Sequence, residues 1–275
     1  MTIQAPAKVN LALRILNKRA DGFHEIDTLM APVTLADEID IKVFKGSGIE
    51  LACSDPAVPA DSSNLVWRAA EAFAARIGQT FCTSIVLRKN IPSGAGLGGG
   101  SSDAAAVLVA LNQLLDARLT EDELEAICAT LGSDIPFFIR SRPAICRGRG
   151  EILIPAGPLP EANLLLVKPP FPVPTAWAYK AWATCSRTDN DAKKQFLGDI
   201  ELSNDLEYPV FEKFLLLPAI KSWLIAQPEV SAAMMSGSGS TLFAILNGDA
   251  DRLAERVCAR FGEHIWTCAC RIKAP

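Results

Sequence analysis

Alternating apolar and polar residues predict three strands in the first third of the chain. Residues 8–16 (KVNLALRIL) carry an aliphatic side chain at every second position, and residues 37–44 (DEIDIKVF) follow the same alternation. Residues 83–91 (TSIVLRKNI) are rich in β-branched side chains and lead into a stretch of glycines. Because successive side chains of a strand point to opposite faces, this period of two is typical of strands with one buried face.

Helix-period patterns with capping residues lie between and after these strands. Asn64 stands before an apolar pattern that predicts a helix over 64–77, and a glycine follows to end it. The mostly apolar stretch 101–115 predicts a buried helix. Residues 120–123 (TEDE) form a capping box, which predicts a third helix that ends at Gly132.

The second half of the chain is less regular and follows a proline-rich stretch at 153–175. The irregular alternation of strands and helices favours an α+β fold with two lobes over a doubly wound parallel sheet. We expect two domains, residues 1–155 and 156–275. The elements predicted after the boundary are a strand at 164–167, a helix at 175–183 followed by a polar connection, helices between 208 and 227, a strand–loop–strand unit at 231–246, a helix at 250–261 and a strand at 267–272.

Composition and charge narrow the classes of protein that fit. The chain has 275 residues, of which 49% are apolar and 21% charged, and this indicates a globular protein with a substantial core. The net charge of −4 argues against nucleic acid as a partner. We find neither a run of about 20 apolar residues that could span a membrane nor a signal-peptide pattern at the start. The eight scattered cysteines indicate reduced thiols and hence a cytoplasmic protein.

Residues 91–108 (IPSGAGLGGGSSDAAAVL) join a predicted strand to a predicted helix. From Gly94 the glycines match the dinucleotide fingerprint G-x-G-x-x-G, but the acidic residue expected about 20 positions on is Glu121, at a helix start rather than a strand end. Residues 94–101 also match the spacing of the phosphate loop G-x-x-x-x-G-K-[ST], but Gly100 occupies the lysine position. Neither standard motif is therefore complete.

A third interpretation keeps the physics that both motifs share. Glycines allow several backbone N–H groups to turn toward one point, to which a helix that starts at Ser101 would add its positive dipole end. Ser101 and Ser102 can cap this helix and offer hydroxyls to a phosphate or to Mg²⁺, and Asp103 in the first turn complements the dipole. We predict a phosphate site here; the alternative is a mobile surface loop of glycine and serine.

The motifs together resemble those of the GHMP kinases, small-molecule kinases that act on galactose, homoserine, mevalonate and phosphomevalonate. The resemblance implies a ribosomal S5 domain 2-like N-terminal lobe, a ferredoxin-like C-terminal lobe, and ATP and Mg²⁺ as cofactors. Members that phosphorylate a small cytidyl-polyol substrate are the most similar, and such an enzyme would be a monomer or a weak homodimer. The segments that carry the resemblance are 5–30, 91–106, 131–138 (LGSDIPFF), 173–179 (VPTAWAY) and 234–245 (MMSGSGSTLFAI).

The resemblance also assigns residues to roles. Lys8 would neutralise the acceptor side and supply part of the charge that Gly100 does not; from spacing alone it is a surface lysine at a strand end. Asp134 would take the proton of the acceptor hydroxyl and orient that hydroxyl, although turn aspartates of this kind are common. Ser101 is the candidate Mg²⁺ ligand. The implied ATP-binding residues are Pro92, Gly94, Gly96, Leu97, Gly98, Gly99, Gly100, Ser101 and Ser102.

Six further residues are implied to bind the substrate. Two aromatic rings would enclose the cytosine base, a histidine would bond to the edge of that base, an asparagine would hold the polyol, and a second glycine turn would close on the phosphates. Stacking on aromatic rings contributes about 1–3 kcal/mol per base. The two rings are those of Phe23 and Tyr179, the histidine is His24, and the asparagine is Asn10. The second glycine turn contains Gly237 and Gly239.

Two alternatives to this function remain open from the sequence. The first is another GHMP activity, such as a mevalonate-type or sugar kinase, which would have no use for a base site at Phe23, His24 and Tyr179. The second is a catalytically silent nucleotide-binding protein, which would have no need for both Lys8 and Asp134. Arg140 and Arg142 depart from the family pattern, and they either approach the substrate diphosphate or alter a surface loop.

Overall fold

The computed structural model describes residues 1–185 and 194–273 and divides into two compact units, each made of three segments. The long strands β1 (Thr2–Lys18) and β2 (His24–Phe44) contribute residues to both units. The domain boundary predicted at residue 155 follows chain order and stays a prediction. Unit 1 comprises Met1–Ala7, Leu35–Ser93 and Gly98–Arg142, and unit 2 comprises Lys8–Thr34, Gly94–Leu97 and Pro143–Pro275.

The strands of unit 1 differ from the prediction: the strand predicted at 37–44 is longer, the strand predicted at 83–91 ends at Arg88, and one further strand was not predicted. The second half of β2 pairs antiparallel with β4 (Cys82–Arg88), and β3 (Gly48–Cys53) pairs parallel with β4. The prediction at 37–44 found only the end of β2, because inward positions earlier in the strand include the polar residues His24 and Thr28. The prediction missed β3, a short strand whose apolar face of Ile49, Leu51 and Cys53 is only half-buried.

Two helices of unit 1 begin and end where their capping residues predict. In α1 (Leu65–Ile77), the side chain of Asn64 accepts a hydrogen bond from Val66 N, and the glycine that follows adopts φ 64°. In α3 (Glu121–Leu131), both hydrogen bonds of the predicted capping box are present. These helices pack against α2 (Gly99–Leu114), most of whose first 13 residues are buried. A single turn, α4 (Phe137–Arg140), was not predicted.

Unit 2 contains a four-stranded antiparallel sheet in the order β10–β11–β7–β12. With its helices the sheet has the chain order β-α-β-β-α-β, which confirms the predicted ferredoxin-like lobe. The aliphatic run of β7 is fully buried between two partner strands. The strands are β7 (Asn163–Lys168), β10 (Val230–Met235), β11 (Leu242–Leu246) and β12 (Trp266–Arg271); the helices are α5 (Thr175–Trp182), α6 (Glu207–Lys213), α7 (Leu216–Ile225) and α8 (Ala250–Phe261).

Unit 2 also holds two hairpins that were not predicted. One consists of β5 (Ala144–Gly148) and β6 (Ile152–Pro155), and β5 also pairs with the first half of β2. The other consists of β8 (Gln195–Leu197) and β9 (Ile200–Asn204), and β9 pairs parallel with β1. The second hairpin lies in the stretch interpreted as a polar connection, part of which falls outside the described residues. No helix of the described ranges has both the length and the apolar composition to cross a membrane.

Candidate active site

The glycine loop has the backbone geometry of an anion site. Gly94, Gly96 and Gly98 have φ angles of 63°, 75° and 73°, in the left-handed region that residues with a Cβ rarely adopt. Gly98 is the N-cap of α2 and provides no side-chain cap. The first N–H groups of α2 are therefore not satisfied by a capping side chain, and helix N-termini of this kind attract phosphate.

The start of α2 corrects part of the sequence interpretation. The helix begins at Gly99 rather than Ser101, because a glycine in the left-handed conformation can serve as the N-cap. Ser101 and Ser102 therefore lie inside the first turn and do not cap it. Ser102 is buried, and its Oγ has no hydrogen-bond partner in the part of the chain that the structure describes. Asp103 lies beyond the first turn and does not complement the dipole there.

Within unit 2, the first half of this loop packs directly against the second glycine loop, residues 236–241. A Cβ on Gly96 would lie 2.3 Å from Ser236 O and 2.9 Å from Gly239 O, so that only glycine fits. Ser236 Oγ donates a hydrogen bond to Gly96 O over 3.0 Å, and Thr241 N donates to Ala95 O over 3.3 Å. The two loops therefore hold each other through close backbone packing and these two hydrogen bonds.

Lys8 and Asn10 are buried side by side on β1. The side chains share one face, as predicted, since Lys8 Nζ donates a hydrogen bond to Asn10 Oδ1. Asn10 Nδ2 in turn donates to Thr28 Oγ1 over 2.8 Å. Lys8 N donates to Leu97 O over 3.0 Å, which attaches the strand to the first glycine loop. With 3% of its surface exposed, Lys8 is not the surface lysine of the alternative interpretation.

Asp134 lies in unit 1, in the turn that connects α3 to α4, and is half-buried. Gly132 ends α3 as predicted, with its N–H donating to Cys128 O. The catalytic role of Asp134 stays a prediction.

A buried ion cluster of Asp37, Lys89 and Asp103 was missed from the sequence. Lys89 Nζ donates to a carboxylate oxygen of Asp37 and, over 2.7 Å, to Asp103 Oδ2. The side chains of Lys89, Asp37 and Asp103 are 7%, 0% and 2% exposed. The sequence signal that could have revealed the cluster is the position of Lys89 shortly before the glycine loop. Because two carboxylates surround its one ammonium group, Lys89 does not supply the charge that Gly100 lacks.

The cluster also perturbs the ionisation of its members. Burial raises the pKa of the Asp103 carboxyl to about 7, since Lys89 offsets the desolvation only in part and Asp37 adds to it. Burial opposes the charged form of Lys89, but the two carboxylates outweigh it and raise the pKa of the ammonium group. Asp37 also accepts hydrogen bonds from the backbone N–H groups of Asn90 and Ile91 and so holds the end of β4 near the loop.

The predicted base-binding residues all belong to unit 2, where His24 and Tyr179 are in contact. The rings of His24 and Tyr179 stack with centroids 5.5 Å apart, and Trp182 meets His24 edge-on at 5.7 Å. Phe23 is half exposed, and the guanidinium group of Arg149 lies 4.8 Å from its ring centroid. Tyr179 therefore contacts His24 directly, and the sandwich of a base between Phe23 and Tyr179 stays a prediction.

His24 is suited to bind a neutral polar group. Its Nε2 is buried and has no hydrogen-bond partner among residues 1–185 and 194–273. Burial lowers the pKa of the imidazole, and the nearby charge of Lys18 lowers it further. At neutral pH the ring is therefore uncharged and retains a nitrogen that can bond to a ligand.

Arg140 does not have the geometry of a diphosphate ligand. Its guanidinium group pairs with three acidic residues of α3, with distances of 2.6 Å to Glu125 and 3.5 Å to Glu121 and a close contact to Asp122. This favours the surface-loop interpretation of Arg140.

Comparisons with known proteins agree with this geometry. The family model described as "GHMP kinases N terminal domain" matches residues 64–142, and "GHMP kinases C terminal" matches residues 187–263. A 4-diphosphocytidyl-2-C-methyl-D-erythritol kinase of Methylacidiphilum infernorum is 44% identical over 268 residues, 95% of this chain and 93% of the relative. A kinase of the same name from Geobacter metallireducens is 39% identical over 250 residues, 89% of each chain.

Solved structures give the same result. A crystal structure of 4-(cytidine 5'-diphospho)-2C-methyl-D-erythritol kinase superposes with a TM-score of 0.80 at 37% identity, over 98% of this chain and 99% of the other. A crystal structure of L. major mevalonate kinase in complex with R-mevalonate superposes with a TM-score of 0.71 at 13% identity, over 100% of this chain and 96% of the other. The second likeness concerns the fold alone.

Proposed function

The chain belongs to the GHMP kinase family, and from that premise we propose its substrate and the roles of its residues. It transfers the γ-phosphoryl group of ATP to the 2-hydroxyl of 4-diphosphocytidyl-2-C-methyl-D-erythritol, a step in the non-mevalonate synthesis of isoprenoid precursors. The observation that carries the proposal is the 44% identity, over nearly the whole of both chains, to a kinase named for that substrate. We further propose a cytoplasmic protein that is a monomer or a weak homodimer.

The glycine loop provides the site for the ATP phosphates. Three glycines with positive φ lead to the uncapped N-terminus of α2, where several N–H groups are available to phosphate oxygens. The candidate residues are those predicted from the family, Pro92 and Gly94 to Ser102 without Ala95. Backbone N–H groups bind the phosphates of any nucleoside triphosphate. This part of the site therefore binds the phosphoryl donor and does not select the acceptor.

The donor set of the protein fits Mg²⁺ bound mainly through ATP. Mg²⁺ usually keeps several waters and binds substrate phosphates with one or two protein oxygens rather than an all-protein cage. In the described residues, no group of three or more His, Cys, Asp or Glu side chains could hold a metal ion, whereas Ser102 offers a buried hydroxyl without a partner. Ser101 remains the candidate ligand. When bound, the ion would neutralise charge on the β- and γ-phosphate oxygens.

Lys8 and Asp134 carry the acceptor chemistry in this proposal. Lys8 stabilises negative charge that develops on the acceptor oxygen, and Asp134 orients the hydroxyl and takes its proton. In a loose transition state the proton leaves late, so that positioning contributes more than basicity. Asn10, bonded to Lys8, holds the polyol portion.

The base site carries the selectivity for a cytidyl substrate. The imidazole of His24 offers Nε2 to the edge of cytosine, and the half-exposed ring of Phe23 offers a stacking face. A mevalonate or sugar kinase would have no such requirement. This distinguishes the proposal from the other GHMP activities.

The test is release of ADP by the purified protein with each acceptor in turn. We expect turnover with 4-diphosphocytidyl-2-C-methyl-D-erythritol and none with mevalonate or homoserine, with ³¹P NMR locating the new phosphate at the 2-position. Turnover with mevalonate but not with the cytidyl compound would show that the substrate is wrong. Binding of ATP without turnover of any acceptor would favour the silent nucleotide-binding protein.

A further inference from the structure

Four consecutive residues, 204–207 (NDLE), connect β1 to the second glycine loop within unit 2. Asp205 N donates to Leu13 O over 2.9 Å, and the Asp205 carboxylate accepts a hydrogen bond from Ile15 N over 2.7 Å. These contacts hold the segment against the strand that carries Lys8 and Asn10. These residues lie outside the motifs that carry the family resemblance.

Asn204 makes the contacts that reach the glycine loop. Its Nδ2 donates to Met235 O over 2.7 Å and to Gly237 O over 2.8 Å, and its Oδ1 accepts from Leu206 N over 3.0 Å. The residue is 5% exposed, so a backbone carbonyl deprived of this donor would have little access to water. Unsatisfied buried carbonyls are costly, so this amide group stabilises the loop conformation in addition to the hydrogen bonds that join the loop to residues 95 and 96.

Glu207, the last residue of the segment, also binds the end of β10 that precedes the loop. Its Oε1 accepts a hydrogen bond from Met235 N over 2.9 Å, and its Oε2 accepts one from Lys221 Nζ over 2.6 Å. Met235 is thus held at its N–H by Glu207 and at its carbonyl by Asn204. The last residue before the loop therefore has both backbone groups fixed by residues 204–207.

The loop that Asn204 holds lies beside the proposed catalytic lysine. A Cβ on Gly237 would be 3.3 Å from Lys8 Nζ, 3.3 Å from Asn10 Oδ1 and 3.2 Å from Gly96 O. In the described part of the chain, no acceptor is recorded for the N–H groups of Gly237 and Ser238. Small displacements of Gly237 would therefore change the surroundings of Lys8 directly.

We propose that Asn204 is a positioning residue for phosphoryl transfer, which holds Gly237 against Lys8 and Asn10 through its two hydrogen bonds to the loop. The proposal rests on the proposed function for its kinetic consequence. A displacement of about 1 Å at a reacting centre can cost a factor of about 100 in rate. The loss should appear mainly in kcat, because the displaced Gly237 lies beside Lys8, which acts on the acceptor oxygen in the proposed function.

The test variant is Asn204→Asp, which keeps the size and the acceptor to Leu206 N but replaces the donor with a carboxylate. The control is Asn112→Asp, because Asn112 also donates to a backbone carbonyl and accepts a backbone N–H, both from Leu119, at the other end of α2. We expect Asn204→Asp to lower kcat by about tenfold to a hundredfold. We expect KM for ATP to stay within about threefold, and Asn112→Asp to keep kcat within about twofold.

Amide hydrogen exchange of residues 236–241 gives a readout that requires no substrate. Exchange should be faster in Asn204→Asp than in the wild type and unchanged in Asn112→Asp. If the wild type lacks activity on the cytidyl compound, the proposed function is wrong. The hydrogen-exchange rates of residues 236–241 would still test whether Asn204 holds the loop. Wild-type kcat and exchange in Asn204→Asp, or equal losses in the two variants, would overturn the inference. If Asn204→Asp does not fold, Asn204→Ser, which retains one donor, decides by the same criteria with a smaller expected loss.

Discussion

Replacement of Lys89 by methionine tests the buried ion cluster in unit 1. The substitution keeps an unbranched side chain of similar size but leaves the carboxylates of Asp37 and Asp103 without the cation between them. Removing one partner of a buried ion pair typically costs about 3–5 kcal/mol, because the remaining charge stays buried and uncompensated. We expect Lys89→Met to lower the free energy of unfolding by about that amount at pH 7.

The pH dependence gives the sharper signature. In the wild type, the folded protein binds a proton at Asp103 with a pKa of about 7, whereas the unfolded chain has an ordinary carboxyl pKa of about 3.9. The folded state therefore binds more protons, and the stability from this group is lost as pH rises from about 4 to about 7. Without Lys89 the pKa of Asp103 rises further, so that stability continues to fall above pH 7 by up to about 1.4 kcal/mol per unit, or about 2 kcal/mol between pH 7 and 8.5.

Urea unfolding at pH 6, 7 and 8.5 measures both effects. The matched control is Lys42→Met, an exposed lysine on β2, which should change the free energy of unfolding by less than about 0.5 kcal/mol. The double variant Lys89→Met/Asp103→Asn should lose the additional slope above pH 7. The reasoning would be refuted if Lys89→Met lost less than about 1 kcal/mol at pH 7, or lost the same amount at pH 7 and 8.5.

The remaining predictions concern the first glycine loop, His24 and Arg140. Gly96→Ala places a Cβ 2.3 Å from the carbonyl oxygen of Ser236, at a residue with φ 75°. It should lower the free energy of unfolding by more than about 2 kcal/mol in urea and abolish ADP release. Gly100→Ala, whose Cβ would have no atom nearer than 3.9 Å, should raise the free energy of unfolding by about 0.5–1 kcal/mol in the same urea assay. Because burial lowers the pKa of His24, the unfolded state binds more protons, and Tm should rise from pH 5 to pH 7 more steeply in the wild type than in His24→Phe. Arg140→Ala breaks a half-exposed ion network and should cost at most about 1 kcal/mol without changing kcat/KM for the cytidyl substrate, and a tenfold rise in KM would contradict this.

Elements with a local signal were predictable from the sequence. The caps of α1 and α3 lie where a side chain and a glycine determine the helix ends, and these signals depend on few neighbours. The hairpin β8–β9 and the edge strand β3 were missed because their burial depends on strands distant in sequence. The start of α2 was misplaced because serine is the commoner cap, whereas here Gly98 adopts the left-handed conformation.

The candidate site was predictable where a motif carries the chemistry. The glycine loop, Lys8 and Asn10 come from short stretches of recognisable sequence, and the hydrogen bond between Lys8 and Asn10 follows from the alternation of a strand. The Lys89 cluster and Asn204 were missed because each acts through contacts with segments that are remote along the chain. Spacing alone does not reveal such partners.

The interleaving of the two units limits how the chain can be divided. Three segments alternate with three others, so the polypeptide passes from one unit to the other five times, and β1 and β2 each contain one such passage. A single cut at any peptide bond therefore leaves at least one fragment with pieces of both units. A split-enzyme reporter made from this chain would therefore have to restore segments of both units rather than join two complete halves.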